Sequence, residues 1–396
     1  MIRIAFSLIG GKNWTGGYNY LINLLNVLDN YCPNKVKPVL FISEDIGAED
    51  ILPFRKLKSV CIVITPIFNK ERKKLSLLKS LILGVDDSIK NLFSEHKIDV
   101  VFENAQFYGR RLNIPVIAWI PDFQHIFLPQ LFTFYSWWKR ELGFRAQISS
   151  NRLIMLSSFD AEAACKRYYP KSLGRTHVVR FAINSMTLPS TEEVNKVRSI
   201  YDLPLRYFYL PNQFWQHKNH FLVVDALKLA LKSEVEIYIV SSGKQFDPNR
   251  PKYFIKFKKH LESSGVADHF KLLGMIPYEH IPVLMRGSVA VINPSLFEGW
   301  STTVEEARLL NVDLLLSDIP VHIEQADAIA NFFEHSSPAS LSKALIDLLA
   351  ESNSRSNINF KQSINTQELL EKFASDFINL VEFAFITIKS DNKKDL

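Results

Sequence analysis

At 396 residues, 47% hydrophobic and 22% charged, the chain is long for a single core and suits two α/β lobes of about 150–200 residues each. The net charge of +6 is uneven: residues 1–190 carry 25 Lys and Arg against 15 Asp and Glu, while residues 191–396 carry 22 against 26, so the first half is basic and suited to an anionic partner. Three scattered cysteines, Cys32, Cys61 and Cys165, form neither a disulfide framework nor a metal-ligand spacing, MIRIAFSLIGG is too short for a signal peptide, and no run of about 18 apolar residues occurs; a cytoplasmic protein that does not span a membrane is expected.

Ile2–Ile9 is apolar and β-rich, and GGKNWTGG and the helical-period run YNYLINLLNVLDNY follow it, predicting strand, glycine loop and helix. Gly16 and Gly17 fall just before that helix, where a backbone without Cβ can meet a phosphate, although a plain turn has the same composition. The dinucleotide pattern G-x-G-x-x-G is absent, and Lys12 lacks the flanks of a P-loop. Strands at Val36–Ile42, Val60–Thr65, Val100–Phe102 and Val116–Ile120, with helices between, predict a parallel, doubly wound sheet. Residues 69–84, NKERKKLSLLKSLILG, lead with Lys70, Arg72, Lys73 and Lys74 into Leu75, Leu77, Leu78, Leu81 and Leu83. Such a helix either lies at a membrane interface or packs on the sheet with its lysines solvated.

Beyond the fifth strand, WIPDFQHIFLPQLFTFYSWWKRELGF is the most aromatic stretch. Pro121, Asp122 and His125 lie where open α/β sheets bind ligands, and a histidine there is placed to bond or transfer a proton near neutral pH. Phe132, Phe134, Tyr135, Trp137, Trp138, Lys139 and Arg140 form a cluster that suits sugar stacking, membrane insertion or core packing alike. Arg152–Leu156 is a sixth strand, Ser157 and Ser158 cap a helix to Tyr169, and His177–Val179 ends the lobe. Phe181–Arg206, weakly periodic and holding Pro189 and Pro204, is the predicted crossing.

The second lobe opens with the strand Tyr207–Leu210, then PNQFWQHKNH and the helical run FLVVDALKLALK, with Lys218 at the turn into that helix. Val235–Val240 is the next strand, and KLLGMIPYEHIPVLMRGS supplies a strand, a turn and a short helix. From Val289 to Gln325 a buried strand through Ile292 runs into Asn293-Pro294-Ser295, and a helix starts near Ser301 to Thr303 with Glu305 and Glu306 in its first turns. The first N–H groups of a helix have no internal partner and favour an anion such as a diphosphate. Gly299 admits close approach, and Glu298 and Glu306 can face one mouth of the sheet, although an ordinary strand-to-helix junction shares these features. No Asp-x-Asp pair and no His/Cys cluster offers a metal site.

Taken together, WTGGYNY, WIPDFQH, NQFWQHKNH, LLGMIP, PSLFEGWSTTVEEA and SDIPVHIEQ span essentially the whole chain. They resemble the bacterial family-four retaining glycosyltransferases of lipopolysaccharide and exopolysaccharide assembly. The resemblance implies the GT-B fold, two Rossmann-like doubly wound domains facing a central cleft: residues 1–185 for the acceptor, 186–365 for the nucleotide sugar, a helix at 366–390 returning to the first domain, and a flexible tail at 391–396. It implies retaining, metal-independent transfer of a hexose or deoxyhexose, mannose-type among them, from a GDP-, UDP- or dTDP-linked donor. The acceptor would be a lipid-linked or free saccharide in surface polysaccharide biosynthesis, O-antigen included. A peripheral contact of the basic N-terminal domain with the inner face of the cytoplasmic membrane goes with this, and neither a cofactor nor nucleic acid does.

Residue by residue, the resemblance implies that Glu306 holds the ribose, Glu298 the donor sugar hydroxyls, and the amides of Gly299, Trp300, Ser301 and Thr302 the phosphates or sugar. Gly274, Met275 and Ile276 would join the donor site. Lys218 would neutralise the diphosphate, Gly16 and Gly17 would complete its cradle, and Asp122 and His125 would face donor sugar and acceptor as catalytic groups. Gln213 stands where many members carry arginine, Pro121-Asp122 replaces a His-Asp pair, and RFAIN replaces an Asn-Gly turn. The residues alone leave two other readings open: a nucleotide-cofactor oxidoreductase, against which the missing fingerprint weighs, and a non-catalytic nucleotide-sugar-binding subunit.

Overall fold

The computed structural model describes residues 1–8, 15–104, 106–184, 186–327, 329–354 and 365–391. Lys12 with its neighbouring glycines Gly10 and Gly11, and the tail from residue 392, lie outside them. The chain divides into two compact units: Met1–His125 with Thr133–Asn184 and Gln367–Leu396, and Ile126–Phe132 with Ser185–Thr366.

The first unit holds seven strands: β1 (Ile2–Ser7), β2 (Val36–Ile42), β3 (Cys61–Ile64), β4 (Val100–Asn104), β5 (Val116–Trp119), β6 (Leu153–Leu156) and β7 (Thr176–Val178), in the order β3-β2-β1-β4-β5-β6-β7. All neighbours are parallel. Period-2 alternation sends Ile4, Phe6, Leu40, Ile42 and Phe102 into one apolar cluster, and Ala5, Val39, Phe41 and Val101 into another on the opposite face. Both faces are covered, which is why these strands read as unbroken apolar runs. The helix Thr366–Asp391 supplies Leu370, Phe373, Phe377, Ile378 and Val381 to the first cluster.

The second unit holds β8 (Phe208–Leu210), β9 (Ile239–Ser242), β10 (Phe270–Gly274), β11 (Val291–Asn293), β12 (Leu314–Ser317) and β13 (Ala330–Phe333), ordered β10-β9-β8-β11-β12-β13 and again parallel. Phe208, Leu210, Ile239 and Ile292 face one cluster, and Tyr209, Val240, Val291 and Leu316 the other.

Three expectations need correction. The strand expected at Val235–Val240 begins only at Ile239, because both neighbouring strands start level with it, at Phe208 and Phe270, and leave residues 235–237 no ladder partner. The predicted crossing contains the helix Thr191–Ile200, opened by a capping box in which Ser190 and Glu193 satisfy each other's backbone N–H. Gly16 and Gly17 lie inside the helix Thr15–Tyr31 instead of ahead of it.

Candidate functional site

In an open parallel sheet the ends of two strands whose connections leave in opposite directions splay apart and make a crevice at their carboxyl ends. In the second sheet that point lies between β8 and β11. The chain leaving β8 runs through Asn212 to a short 3-10 turn, Gln216–Lys218, and Asn219 then takes a left-handed conformation (φ 54°) before the helix His220–Leu231. The chain leaving β11 runs through Ser295 to Glu298 and into the helix Thr302–Leu309. The two loops are tied together: Leu296 N donates to His217 O (2.8 Å), and Asn212 Nδ2 to Asn293 Oδ1 (3.4 Å).

Lys218 and Glu298, expected to serve the diphosphate and the sugar, form an ion pair with each other, 15% and 12% exposed. Ser295 Oγ lies 2.6 Å from Glu298 Oε1 and 2.7 Å from Asn293 Oδ1, its single proton serving one of them. Burial raises the Glu298 pKa, but the Lys218 ammonium, its hydrogen bond and the nearby His217 and His322 together outweigh burial and carry it down to about 2. Glu298 is therefore a permanent carboxylate, an acceptor for hydroxyl groups.

Glu306 is held in the opposite way. It lies near the middle of the helix, half-buried, with Tyr278 Oη donating to its Oε1 at 3.3 Å, and burial pushes its pKa up to about 7. Its neighbour Glu305 is buried and belongs to the scaffold, accepting from Gln325 Nε2 (2.7 Å) and Arg308 Nη1 (3.1 Å).

The helix start is only partly open to a ligand. Ser301 caps it, its Oγ accepting from Val304 N and from Asn293 Nδ2. The Ser301 N–H, expected among the phosphate-binding amides, donates to Gln325 Oε1 (3.2 Å), while Gln325 Nε2 returns a bond to Ser301 O (2.9 Å). The cradle expected over Gly299 to Thr302 is corrected at that position: Gly299, Trp300 and Thr302 flank an amide that the fold already uses. Gly274 ends β10 at φ 68° and its carbonyl accepts from Gly243 N (2.8 Å), Met275 beyond it is exposed, and Ile276 packs against the second unit's core.

Two residues not selected from the sequence shape this site. A Cβ on Gly243 (φ 142°) would stand 2.6 Å from Asn212 O, so only glycine lets β9 press against the loop that carries Lys218. His322, fully buried with Nδ1 3.0 Å from Ser317 Oγ, is held by burial down to about 4 and lies within electrostatic reach of Glu298. A glycine and a histidine shortly after strand ends were the signals available.

In the first unit, Asp122 Oδ1 accepts from Arg140 Nη2 (2.5 Å) and Gln124 N (2.8 Å), with its side chain 25% exposed. His125 does not project into an open mouth, contrary to expectation. Its ring is 0% exposed, with Nε2 3.0 Å from Glu141 Oε2, and Tyr169 Oη donates to the same carboxylate. Burial lowers the His125 pKa, so the ring is neutral at pH 7 and acts inside a buried network. Gly16 is exposed, with open space where a Cβ would stand, and Gly17 is buried. A second buried pair, Arg152 with Glu103 (2.7 Å), secures β4 and escaped the sequence because its partners are 49 residues apart.

Among the described residues no group of three or more His, Cys, Asp or Glu side chains is placed to hold a metal ion, and no helix is long and apolar enough to cross a membrane.

Comparison with known proteins places this geometry. Residues 196–362 match the family model of glycosyl transferases group 1. A glycosyltransferase from Rickettsia africae superposes with a TM-score of 0.63 at 12% identity, over 99% of this chain and 96% of that one. Anabaena Alr3699/HepE in complex with UDP gives 0.62 at 14%, over 100% and 99%. WaaG, a glycosyltransferase involved in lipopolysaccharide biosynthesis, gives 0.58 at 14%, over 98% and 99%. The fold is GT-B, and the match to the group 1 glycosyl transferase model falls within the second unit.

Proposed function

We propose, from a second unit that matches the group 1 glycosyl transferases, that this chain moves a hexose or deoxyhexose from a nucleotide sugar to a lipid-linked or free saccharide acceptor, with retention of anomeric configuration, in surface polysaccharide assembly. The observation that carries the reading is the meeting of Lys218, Glu298 and the helix Thr302–Leu309 at the switch point of the second sheet, with Glu306 on that helix. The UDP held by Anabaena HepE and the lipopolysaccharide role of WaaG support a nucleotide-sugar donor and a polysaccharide product.

In this reading Glu306 accepts from the ribose hydroxyls, and Glu298, ionised at every working pH, accepts from the donor sugar. As the sugar–phosphate bond breaks, negative charge grows on the departing diphosphate. Lys218 turns from Glu298 toward it, and the first N–H groups of the helix Thr302–Leu309 add their dipoles in a largely desolvated setting. Charge compensation thus rests on side chains and amides and asks for no metal. Gln213, neutral at a position where an arginine would share the load, leaves Lys218 the larger part of it. Asp122, turned by Arg140, is the acceptor-side candidate, and the buried His125 positions its loop.

Thermal shift against a panel of UDP-, GDP- and dTDP-sugars tests the reading. The correct donor at about 100 times its dissociation constant stabilises by about 2.7 kcal/mol. Transfer of labelled sugar from that donor to a saccharide acceptor, lost in Lys218→Ala with the fold intact, is the expected outcome. Full activity in Lys218→Ala sinks the assignment, and stabilisation by nicotinamide dinucleotides alone would favour an oxidoreductase.

A further inference from the structure

Of the three carboxylates on the strand-to-helix junction of the second unit, Glu298 is paired with Lys218 and Glu305 with Arg308, while Glu306 has no cation partner among the described residues. Its one hydrogen-bond partner there is Tyr278 Oη, 3.3 Å from Oε1 and 28 residues away in the chain. Pro277 and Tyr278 make the turn between β10 and the helix His280–Arg286, their carbonyls accepting from His280 N and Ile281 N at 3.0 Å each. Ile276 before the turn and Val283, Leu284 and Met285 after it pack in the core, so the backbone at Tyr278 is fixed from both sides. The Tyr278 side chain is nevertheless 63% exposed. A ring left in solvent gains little from apolar burial, so packing does not account for a tyrosine at this place. What the position supplies is a hydroxyl turned to Glu306.

A donor bonded to a carboxylate favours the ionised form, whereas burial favours the neutral one. A phenol keeps its proton to about pH 10, so Tyr278 donates throughout the range in which Glu306 titrates. The other titratable groups on the surrounding elements are engaged elsewhere: Arg308 with Glu305 (3.1 Å), Arg286 with Leu310 O (3.0 Å), His280 with Tyr201 (2.7 Å), and Tyr209, within electrostatic reach of Glu306, with Ser242 Oγ (2.5 Å). The Tyr278 hydroxyl is thus the group that opposes burial at Glu306. We propose that Tyr278 is a positioning residue for the nucleotide, its hydroxyl keeping the Glu306 carboxylate ionised and oriented for the ribose near neutral pH. The proposal rests on the ribose role given to Glu306 above, and Tyr278 acts through that carboxylate and not on the reacting atoms.

Tyr278→Phe removes one hydroxyl from an exposed ring and leaves the fold intact, so the full chain carrying it tests the linkage by two readouts. The first needs no nucleotide: carbon-13 NMR of the glutamate-labelled free chain, with the Glu306 carboxyl assigned by its absence in Glu306→Gln, follows the titration of that group. Its midpoint should move up by about one pH unit in Tyr278→Phe, the loss of a hydrogen bond to a charged group. The second is calorimetric titration with UDP, GDP and dTDP. For whichever of them the wild type binds, Tyr278→Phe should weaken affinity on the order of tenfold at about pH 6 and by less than about twofold at about pH 9, where Glu306 is ionised in both chains. An unmoved midpoint overturns the proposal. So does a loss of affinity by the same factor at both pH values, because a direct contact with the ligand or a packing role would produce it. Failure of the donor reading shows as a wild type that binds none of the three nucleotides, and failure of the linkage as a midpoint that stays in place, so the two are distinguishable.

Discussion

Glu298 and Glu306 sit on one strand-to-helix junction and are held in opposite protonation regimes, one by an ammonium partner and one by burial. A carboxyl whose folded pKa is raised binds a proton more tightly in the folded than in the unfolded chain, so it favours folding at low pH and loses that advantage as pH rises from its ordinary 4.5 toward about 7. Its use as an acceptor for ribose hydroxyls requires the ionised form, and nucleotide affinity should fall on the order of tenfold between about pH 8 and about pH 6. Glu306→Gln should remove that pH dependence and weaken nucleotide binding about 10–100-fold, the loss of a charge-assisted bond, while raising the melting temperature of the free chain at pH 8. Calorimetric titration and thermal unfolding across this range check both; a variant that binds normally, or whose melting temperature falls, removes Glu306 from the ribose role. The sequence brought forward both glutamates and Lys218, since spacing and residue type carry that information. It was silent on the Lys218–Glu298 pair and on the burial of His125, since each depends on partners fixed only by tertiary packing, 80 and 16 residues away.

The helix Thr302–Leu309 owes its entry angle to Gln325, which grips both backbone groups of Ser301 and the Glu305 carboxylate from a neighbouring helix. Gln325→Leu leaves these buried polar atoms with fewer partners and should cost about 2–4 kcal/mol in urea unfolding, with weaker donor binding. A cost under about 1 kcal/mol would mean that the clamp is dispensable. At this scale apolar runs predicted the strands well, because both sheets are buried on two faces. Ends were less legible: β9 starts where its neighbours start, which its own residues do not encode. The helix Thr191–Ile200 was announced by Ser190 and Glu193, a capping signal hidden among prolines and weak periodicity. For residues 69–84 the sequence offered two orientations of the leucine face, and only folding chose the outward one.

The first unit is made of chain segments separated by most of the second, and the helix Thr366–Asp391 is its last piece. That helix buries Leu370, Phe373, Phe377, Ile378, Leu380 and Val381, and at about 1.5–3 kcal/mol for each fully buried side chain their loss is on the order of 10 kcal/mol, as large as the whole stability of a typical domain. A chain ended at residue 365 should therefore lose the unfolding transition of the first unit and bind a hydrophobic dye, while the second unit still melts cooperatively and still responds to nucleotide. Two retained transitions in calorimetry would show that the helix is an accessory.

The return of that helix also orders events on the ribosome. The β1–β7 sheet emerges first, yet Phe6 and Phe102, whose rings meet Phe377, wait for that cover until the whole second unit has been translated. For that interval the nascent chain carries an open apolar face, and the half made first is the half completed last. Correct folding is thereby coupled to translation of the final helix, and a chain that stalls before it presents chaperones and proteases with an unfinished core.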